Sequence, residues 1–134
     1  MRQHHFGVYA RIRTAGRILV VRKTRGPYDG LLDLPGGRPE PGESWRQALI
    51  RELHEELGVR VSVTGQFTPF SFHVPQSSTG APIDFHHHGV FTDVPPAAPR
   101  QVDSPDTAGY EWFDLTTGDP SRLSPLVREV GQVG

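Results

Sequence analysis

Three glutamates in the first half of the chain have a spacing that suits chemistry. Glu52, Glu55 and Glu56 stand at positions i, i+3 and i+4, and residues with this spacing lie on one face of an α-helix. Like charges on one helical face repel one another, so an ordinary surface helix gains nothing from them. A hard divalent cation with carboxylate ligands removes that repulsion. The spacing therefore predicts a metal site, with a solvated acidic helix face as the alternative.

The residues around these glutamates follow a wider pattern. The chain reads Gly37, five residues, Glu43, seven residues, and then the run Arg51-Glu52-Leu53-His54-Glu55-Glu56-Leu57-Gly58-Val59. This segment resembles the Nudix box, the signature of the Nudix hydrolases, and it matches every fixed position of that box. So many constrained positions at fixed spacing make chance a poor explanation. The resemblance covers only residues 37–59, so the rest of the chain is interpreted separately.

The resemblance implies a metal-binding set made of one backbone carbonyl and four carboxylates: Gly37, Glu43, Glu52, Glu55 and Glu56. Among these, Glu43 matches a supporting acidic position. Arg51 matches the arginine that orients the neighbouring glutamate, because a guanidinium group pairs well with a carboxylate. The implied ion is Mg²⁺, with Mn²⁺ as a substitute, since both bind hard oxygen ligands.

The resemblance also implies an activity. Nudix hydrolases cleave a nucleoside diphosphate linked to another group, by attack of water on the pyrophosphate. We therefore expect Mg²⁺-dependent hydrolysis of a nucleoside triphosphate, ADP-ribose or a nucleotide sugar, all of which are nucleotide-type small molecules. The alternative is a nucleotide-sensing or protein-binding module on the same fold, and the complete box counts against it.

The predicted catalytic set joins three residues of the box to one residue outside it: Arg51, Glu52, Glu55 and Glu111. The sequence leaves the general base open. Glu52 activates water in some members of the family, and an acidic residue outside the box does so in others. The candidates outside the box are Asp103, Asp106 and Glu111. For Glu111, an outward-facing strand carboxylate is an equally good interpretation.

Cationic and aromatic residues provide candidates for substrate binding. Arg22, Lys23 and Arg25 end the second predicted strand or follow it, where they could reach substrate phosphates. A solvated strand end is the alternative for at least two of them. The aromatic candidates for stacking on a base are Tyr28, Phe70, Phe72 and Trp112, although most buried aromatic residues belong simply to the core.

Three consecutive histidines, His86, His87 and His88, suggest a zinc site. Adjacent residues of a strand point to opposite faces, so three in a row cannot easily bind one ion. At most His86 and His88 share a face. We therefore predict that these histidines line a pocket or lie at the surface.

Hydrophobic patterning predicts the elements that must position these residues. Alternation over residues 6–13 predicts a strand, residues 17–22 a second one, and the two together a hairpin. A helix is predicted over residues 44–58, with Leu49, Leu53 and Leu57 as its buried stripe and Ile50 broadening it. The remaining predictions are a short strand at 31–34, an interrupted strand at 61–72, a loop at 74–82, a strand at 84–94, a loop at 95–107, a strand at 110–115 and a helix at 124–133.

This succession indicates an α/β (α+β) protein. The resemblance implies the Nudix α/β/α sandwich with a mixed β-sheet. A length of 134 residues, 35% hydrophobic and 22% charged, is typical of one globular domain, so we expect a single domain over residues 1–134. Many relatives are dimers, which leaves a homodimer open.

Charge and composition limit the partners and the location. A net charge of −1 argues against DNA, RNA or an anionic membrane as partners. It permits an anionic substrate, because a metal ion and local arginines supply positive charge. The sequence has no cysteine, so thiol catalysis and disulfides are excluded and a reducing compartment is compatible. No apolar run approaches the ~18 residues that span a bilayer, and we expect a cytoplasmic location.

Overall fold

Hydrogen bonds join eight strands into two four-stranded sheets in the computed structural model, which describes residues 2–102 and 104–132. The strands are β1 (Arg2–Arg11), β2 (Arg13–Thr14), β3 (Arg17–Lys23), β4 (Leu32–Asp33), β5 (Gly36–Gly37), β6 (Thr68–Gln76), β7 (Pro82–Asp93) and β8 (Thr107–Asp114). The helices are α1 (Trp45–Leu57), α2 (Pro125–Val130) and a 3₁₀ turn at Pro120–Arg122. None of these helices has the length and apolar character needed to cross a membrane.

The first sheet has the strand order β5-β1-β7-β6 and is mixed. Strands β1 and β7 are parallel, whereas the β1–β5 and β6–β7 pairs are antiparallel. In the second sheet β3 pairs with β2, β4 and β8, always antiparallel. The predicted mixed sheet is therefore confirmed.

A helix covers each side of these sheets, because neighbouring strand residues point to opposite faces. On one side Val8, Ala10, Leu19 and Val21 pack in the same core cluster as the α1 leucines. On the other side Tyr9, Ile18 and Val20 share a cluster with Leu126, Val127 and Val130 of α2. The arrangement is the predicted α/β/α sandwich.

Helix α1 has strong local signals at both ends. Ser44 Oγ accepts a hydrogen bond from the Gln47 amide, and Gln47 Oε1 accepts one from the Ser44 amide, which forms a capping box. Gly58, with φ 66°, ends the helix in the left-handed conformation. These caps confirm the predicted span.

The predicted leucine stripe of α1 is confirmed, but Ile50 does not belong to it. Leu49, Leu53 and Leu57 are fully buried, and burying each leucine stabilises the fold by about 1.5–3 kcal/mol. Ile50 is 38% exposed. It follows Leu49 directly, and one residue turns about 100° around a helix, so its side chain points away from the sheet.

The strand predicted at residues 61–72 and the loop predicted at 74–82 were wrong in their bounds. Residues 61–67 form no strand, and β6 runs from Thr68 to Gln76 through positions that the sequence assigned to a loop. Pro69 and Pro75 interrupt the sequence pattern of this strand. They are tolerated because β6 lies at the edge of its sheet, where a missing backbone donor can face away from the neighbouring strand.

The predicted first hairpin is correct only near its turn. Arg13 pairs with Ile18 in the second sheet, whereas β1 pairs with β5 and β7 in the first sheet. The chain therefore passes from one sheet to the other at Ile12. The predicted closing helix is shorter than expected, since α2 ends at Val130, and residue 133 at its predicted end lies outside the described residues.

Candidate functional site

Two glycines of strand β5 lie next to carboxylates of α1. The Gly36 amide donates a hydrogen bond of 2.7 Å to Glu56 Oε1. Gly36 has φ +143°, and a Cβ at this position would collide with the carbonyl oxygen of Val8. A Cβ on Gly37 would lie 2.8 Å from Cδ of Glu52. A side chain at Gly37 would therefore push the Glu52 carboxylate away, and one at Gly36 would collide with strand β1.

Arg51 connects the loop before α1 to the carboxylates on it. Its Nε and Nη2 donate to Oε2 and Oε1 of Glu43 at 2.8 and 2.9 Å. Its Nη1 donates to Glu52 Oε1 at 3.0 Å and to Glu55 at 3.3 Å. The Glu43 carboxylate also accepts the Glu40 amide at 2.8 Å. Hydrogen bonding to Arg51 lowers the pKa of Glu43 to about 2, so Glu43 is ionised and holds the loop to the helix.

Three carboxylates are withdrawn from water on this side of the molecule: Asp33, Glu52 and Glu56. The side chain of Glu52 is 16% exposed, and Glu56 and Asp33 are buried. Burial raises the pKa of each, above all that of Glu56, although Arg51 opposes the effect at Glu52 and the Ser124 hydroxyl opposes it at Asp33. Buried carboxylates cost less free energy when a cation neutralises them. These oxygen ligands therefore fit a hard divalent ion.

A cavity of about 550 Å³ opens beside these residues, a size that suits a small-molecule ligand. Its acidic lining consists of Asp33, Glu40, Glu52, Glu56 and Asp106, and its cationic lining consists of Lys23, Arg25, Arg38 and Arg51. Carboxylates can bind a cation, and ammonium and guanidinium groups can bind phosphate oxygens. The cleft therefore combines both requirements of a metal-assisted reaction on a phosphate compound.

The structure brings together most, but not all, of the predicted site residues. Lys23 and Arg25 line the cleft, and Arg25 forms an ion pair with Asp106, which also lines it. Glu55 is half exposed beside Arg51 and lies outside the cavity lining. The candidate base Asp103 lies outside the described residues.

Arg22 and Glu111 do not reach the cleft, because of the strand alternation. Arg22 precedes Lys23 on β3, so the two side chains point to opposite faces. Glu111 pairs with Val20, whose side chain faces the α2 layer. There Arg122 donates two hydrogen bonds to the Glu111 carboxylate, at 2.8 and 2.6 Å, and lowers its pKa.

Of the four aromatic candidates, Tyr28 alone lines the cleft. Phe70 belongs to the core cluster on the α2 side, and Phe72 packs against it. Trp112 packs against the cluster on the α1 side. These three are therefore core residues.

A chain of hydrogen bonds runs beneath the cleft from Arg38 through His5, Tyr9 and His87 to Tyr28. The successive distances are 3.2, 3.3, 2.9 and 2.7 Å. Burial is the main cause that lowers the pKa of His5 to about 4 and that of His87 to about 3, so both rings are neutral at pH 7.

The donor at the Arg38 end sets the direction of this chain. Arginine only donates, so His5 Nδ1 accepts from Arg38 and His5 Nε2–H donates to Tyr9. Tyr9 is buried, and its hydroxyl hydrogen has an acceptor only if His87 Nε2 accepts it. In this tautomer His87 Nδ1–H donates to Tyr28. Among the described residues no further partner accepts the Tyr28 hydroxyl hydrogen, which leaves it available to a ligand in the cleft.

Sequence reasoning missed several cleft residues, namely His5, Tyr9, Asp33 and Arg38. None has a characteristic spacing relative to the glutamates. A weak signal exists for Asp33, because a carboxylate between Leu32 and Leu34 in a buried strand is unusual.

The chain is similar to known proteins along almost its whole length. A family model described as a NUDIX domain matches residues 1–130. A CTP pyrophosphohydrolase of Escherichia coli (strain K12) is 47% identical over 57 residues, which cover 42% of this chain and 42% of that protein. A putative 8-oxo-dGTP diphosphatase of Bacillus subtilis (strain 168) is 30% identical over 107 residues, 80% of this chain and 60% of that protein. The chain thus spans less than two thirds of each of these two relatives.

A solved structure agrees over a longer range. The crystal structure of a MutT NUDIX hydrolase from Burkholderia pseudomallei has a TM-score of 0.68 and 26% identity, and the match covers 96% of this chain and 95% of that one.

Proposed function

The chain belongs to the Nudix family, and on that premise we propose that it hydrolyses a pyrophosphate bond in a nucleoside diphosphate derivative, as a hydrolase acting on acid anhydrides. The observation that carries the proposal is the contact of Glu52 with both Gly37 and Arg51 at the edge of a cleft lined by cationic side chains. A helix with a solvated acidic face would not need a glycine beneath one carboxylate.

The proposed cofactor is Mg²⁺, with Mn²⁺ as a substitute. Its proposed ligands are the carbonyl of Gly37 and the carboxylates of Glu52, Glu55 and Glu56, supported by Glu43. A divalent ion bound there would polarise the phosphate and make a bound water more acidic. Glu43 itself has both oxygens engaged by Arg51, which supports a structural part for it within this set.

The proposed general base is Glu52, with Asp106 as the second candidate. Both carboxylates line the cleft, and Asp106 contributes to raising the pKa of Glu52. Arg51 donates to one oxygen of Glu52 and so orients the other. The position of Glu111 against Arg122 counts against the catalytic part that the sequence suggested for it.

The proposed phosphate-binding residues are Lys23 and Arg25, to which the cleft adds Arg38. The free hydroxyl hydrogen of Tyr28 supports a part in binding an acceptor atom of the substrate. Arg22 points to the opposite face of β3 and is not proposed to bind it.

The substrate is proposed from the names of the relatives. Those names refer to CTP and 8-oxo-dGTP, which favours a nucleoside triphosphate, with ADP-ribose and nucleotide sugars as further candidates. We also propose that residues 1–134 form one domain that acts in the cytoplasm on a small molecule and not on DNA or RNA. Whether the chain forms the homodimer that the sequence leaves open is tested by light scattering after size-exclusion chromatography.

A substrate panel tests the activity. Nucleoside triphosphates, 8-oxo variants, ADP-ribose and nucleotide sugars are incubated with Mg²⁺ or Mn²⁺, and the products are identified by mass. We expect one class to be cleaved far faster than the rest. Glu52→Gln should lose activity by orders of magnitude and remain folded, whereas Glu129→Gln, an exposed glutamate on α2, should match the wild type. Absence of cleavage for every compound with both metals would refute the proposal.

A further inference from the structure

A second group of metal-type ligands lies on the face of the first sheet opposite to Phe85 and His87. His73 on β6 pairs directly with His86 on β7. Asp84 stands two residues before His86, so it shares the same face. We refer to His73, Asp84 and His86 as the histidine–aspartate group. The pairing of β6 with β7 brings these three residues together. No spacing motif in the sequence predicts the group.

The ligand atoms of this group lie close to one another. Asp84 Oδ1 lies 2.8 Å from His73 Nε2 and 3.3 Å from His86 Nε2, and the three atoms lie within 4.8 Å of one another. Tetrahedral zinc with bonds of about 2.0–2.1 Å separates its ligand atoms by about 3.3 Å. Within the described part of the chain, no other three His, Asp or Glu side chains bring their ligand atoms together in this way.

We propose that the histidine–aspartate group binds a divalent transition-metal ion of the Zn²⁺ class. Two imidazole nitrogens and one carboxylate oxygen are a zinc ligand set, with the fourth position left to water. Mg²⁺ is disfavoured because it prefers oxygen ligands in an octahedral arrangement. The group is distinct from the cleft, whose lining includes none of its three residues.

Neighbouring residues hold these ligands in place. Arg2 Nε lies 3.7 Å from Asp84 Oδ2, which leaves Oδ1 turned towards the two histidines. The ring of His4 stacks on His86 with centroids 5.1 Å apart and limits rotation of that imidazole. Such supporting contacts orient metal ligands. The positive charge of Arg2 opposes a cation, so the site is expected to be weaker than one without it.

The ion would have a structural effect. His73 belongs to the edge strand β6, whereas Asp84 and His86 belong to β7, so a bound ion links the two strands. Edge strands are held on one side only, and a ligand that binds only the folded state stabilises it by mass action. Zn²⁺ should therefore raise the unfolding temperature.

Isothermal titration of the tag-free protein with Zn²⁺ tests the inference. Excess Mg²⁺ is present and the Glu52→Gln background is used, so that the cleft does not contribute. We expect about one Zn²⁺ per chain. His73→Ala, His86→Ala and the isosteric Asp84→Asn should each weaken binding by more than about tenfold, since removal of a residue that only supports a ligand already costs about 10–100-fold.

His54→Ala is the matched control, because this histidine is exposed on α1. It should bind Zn²⁺ as tightly as its parent, and circular dichroism verifies that all variants fold. Co²⁺ provides a second probe, since a tetrahedral site develops visible absorption that the His73→Ala/His86→Ala double variant should lose. Equal Zn²⁺ affinity in the parent and the double variant would show that the three residues are only hydrogen-bonded to one another. Because these experiments measure metal binding, their result does not depend on whether the proposed hydrolysis is correct.

Discussion

Gly37 lies against the carboxylate of Glu52, so closely that a Cβ on the glycine would be 2.8 Å from Glu52 Cδ. Gly37→Ala should therefore displace this carboxylate without adding backbone strain. We expect kcat to fall about 100-fold, the loss that a displacement of about 1 Å can cause, while the far-ultraviolet circular dichroism is unchanged.

Gly80→Ala is the control for this substitution. Gly80 has φ +87°, and a Cβ there would meet no atom within 4 Å. The variant should therefore lose about 1–2 kcal/mol of stability through its left-handed backbone and keep its activity. Full activity in Gly37→Ala would contradict the proposed importance of the Gly37–Glu52 contact.

Arg51→Lys tests the connection between Glu43 and the helix. Lysine keeps the charge but lacks the planar fork that gives Glu43 two hydrogen bonds. We expect a lower kcat with little change in KM, because the carboxylates lose their orientation and the cationic lining remains. Steady-state kinetics measure both constants, with Arg60→Lys, at an exposed arginine, as the control. A wild-type kcat in Arg51→Lys would refute the proposed orienting part of Arg51.

Glu111→Gln tests where the water is activated. The Glu111 carboxylate pairs with Arg122 away from the cleft. A surface ion pair contributes only about 0.2–1 kcal/mol, so this variant should keep its activity and lose little stability. A large fall in the kcat of Glu111→Gln would show that Glu111 is catalytic after all. If kcat falls in Asp106→Asn and not in Glu111→Gln, Asp106 is favoured as the base.

Tyr28→Phe tests the free hydroxyl in the cleft. A hydrogen bond contributes about 0.5–1.5 kcal/mol, so we expect KM to rise roughly two- to tenfold with a smaller change in kcat. Tyr110→Phe, which alters an exposed tyrosine, should leave both constants unchanged. An unaltered KM in Tyr28→Phe would mean that the substrate makes no hydrogen bond to this residue.

Asp93→Asn tests the acid sensitivity of the fold. Arg11 is 6% exposed and donates two hydrogen bonds to Asp93, at 2.7 and 2.9 Å, which lower the pKa of Asp93 below its usual 3.8. The unfolded chain therefore takes up this proton at higher pH than the folded protein. The contribution to stability is present above pH 3.8 and is lost as the pH falls through the folded pKa.

We expect Asp93→Asn to be about 1–2 kcal/mol less stable at pH 7, since the carboxylate is more than half exposed. Its stability should also depend less on pH in the acid range. Urea unfolding at several pH values measures both effects, with the exposed Asp29→Asn as the reference. Parallel pH profiles for wild type and Asp93→Asn would exclude the ion pair as the cause.

The sequence alone determined the helix and the residues it presents. Each signal for α1 is local: Ser44 and Gly58 cap the two ends, and the leucine stripe lies between them. Periodicity and capping chemistry therefore define α1 without reference to the rest of the chain. The spacing of Glu52, Glu55 and Glu56 then follows from the helical repeat. Family membership could be predicted for the same reason, because the whole signature lies in one continuous segment.

Tertiary structure alone decided what surrounds that segment. Lys23 faces the cleft and Arg22 does not, because the pairing of β3 sets which strand face looks towards α1. Strand register also brings Asp84 and His86 to His73, while β8 carries Glu111 to the far side of its sheet. These relationships depend on which strands pair and in what register. Contacts between residues far apart in the chain determine that pairing, and local sequence patterns do not encode it.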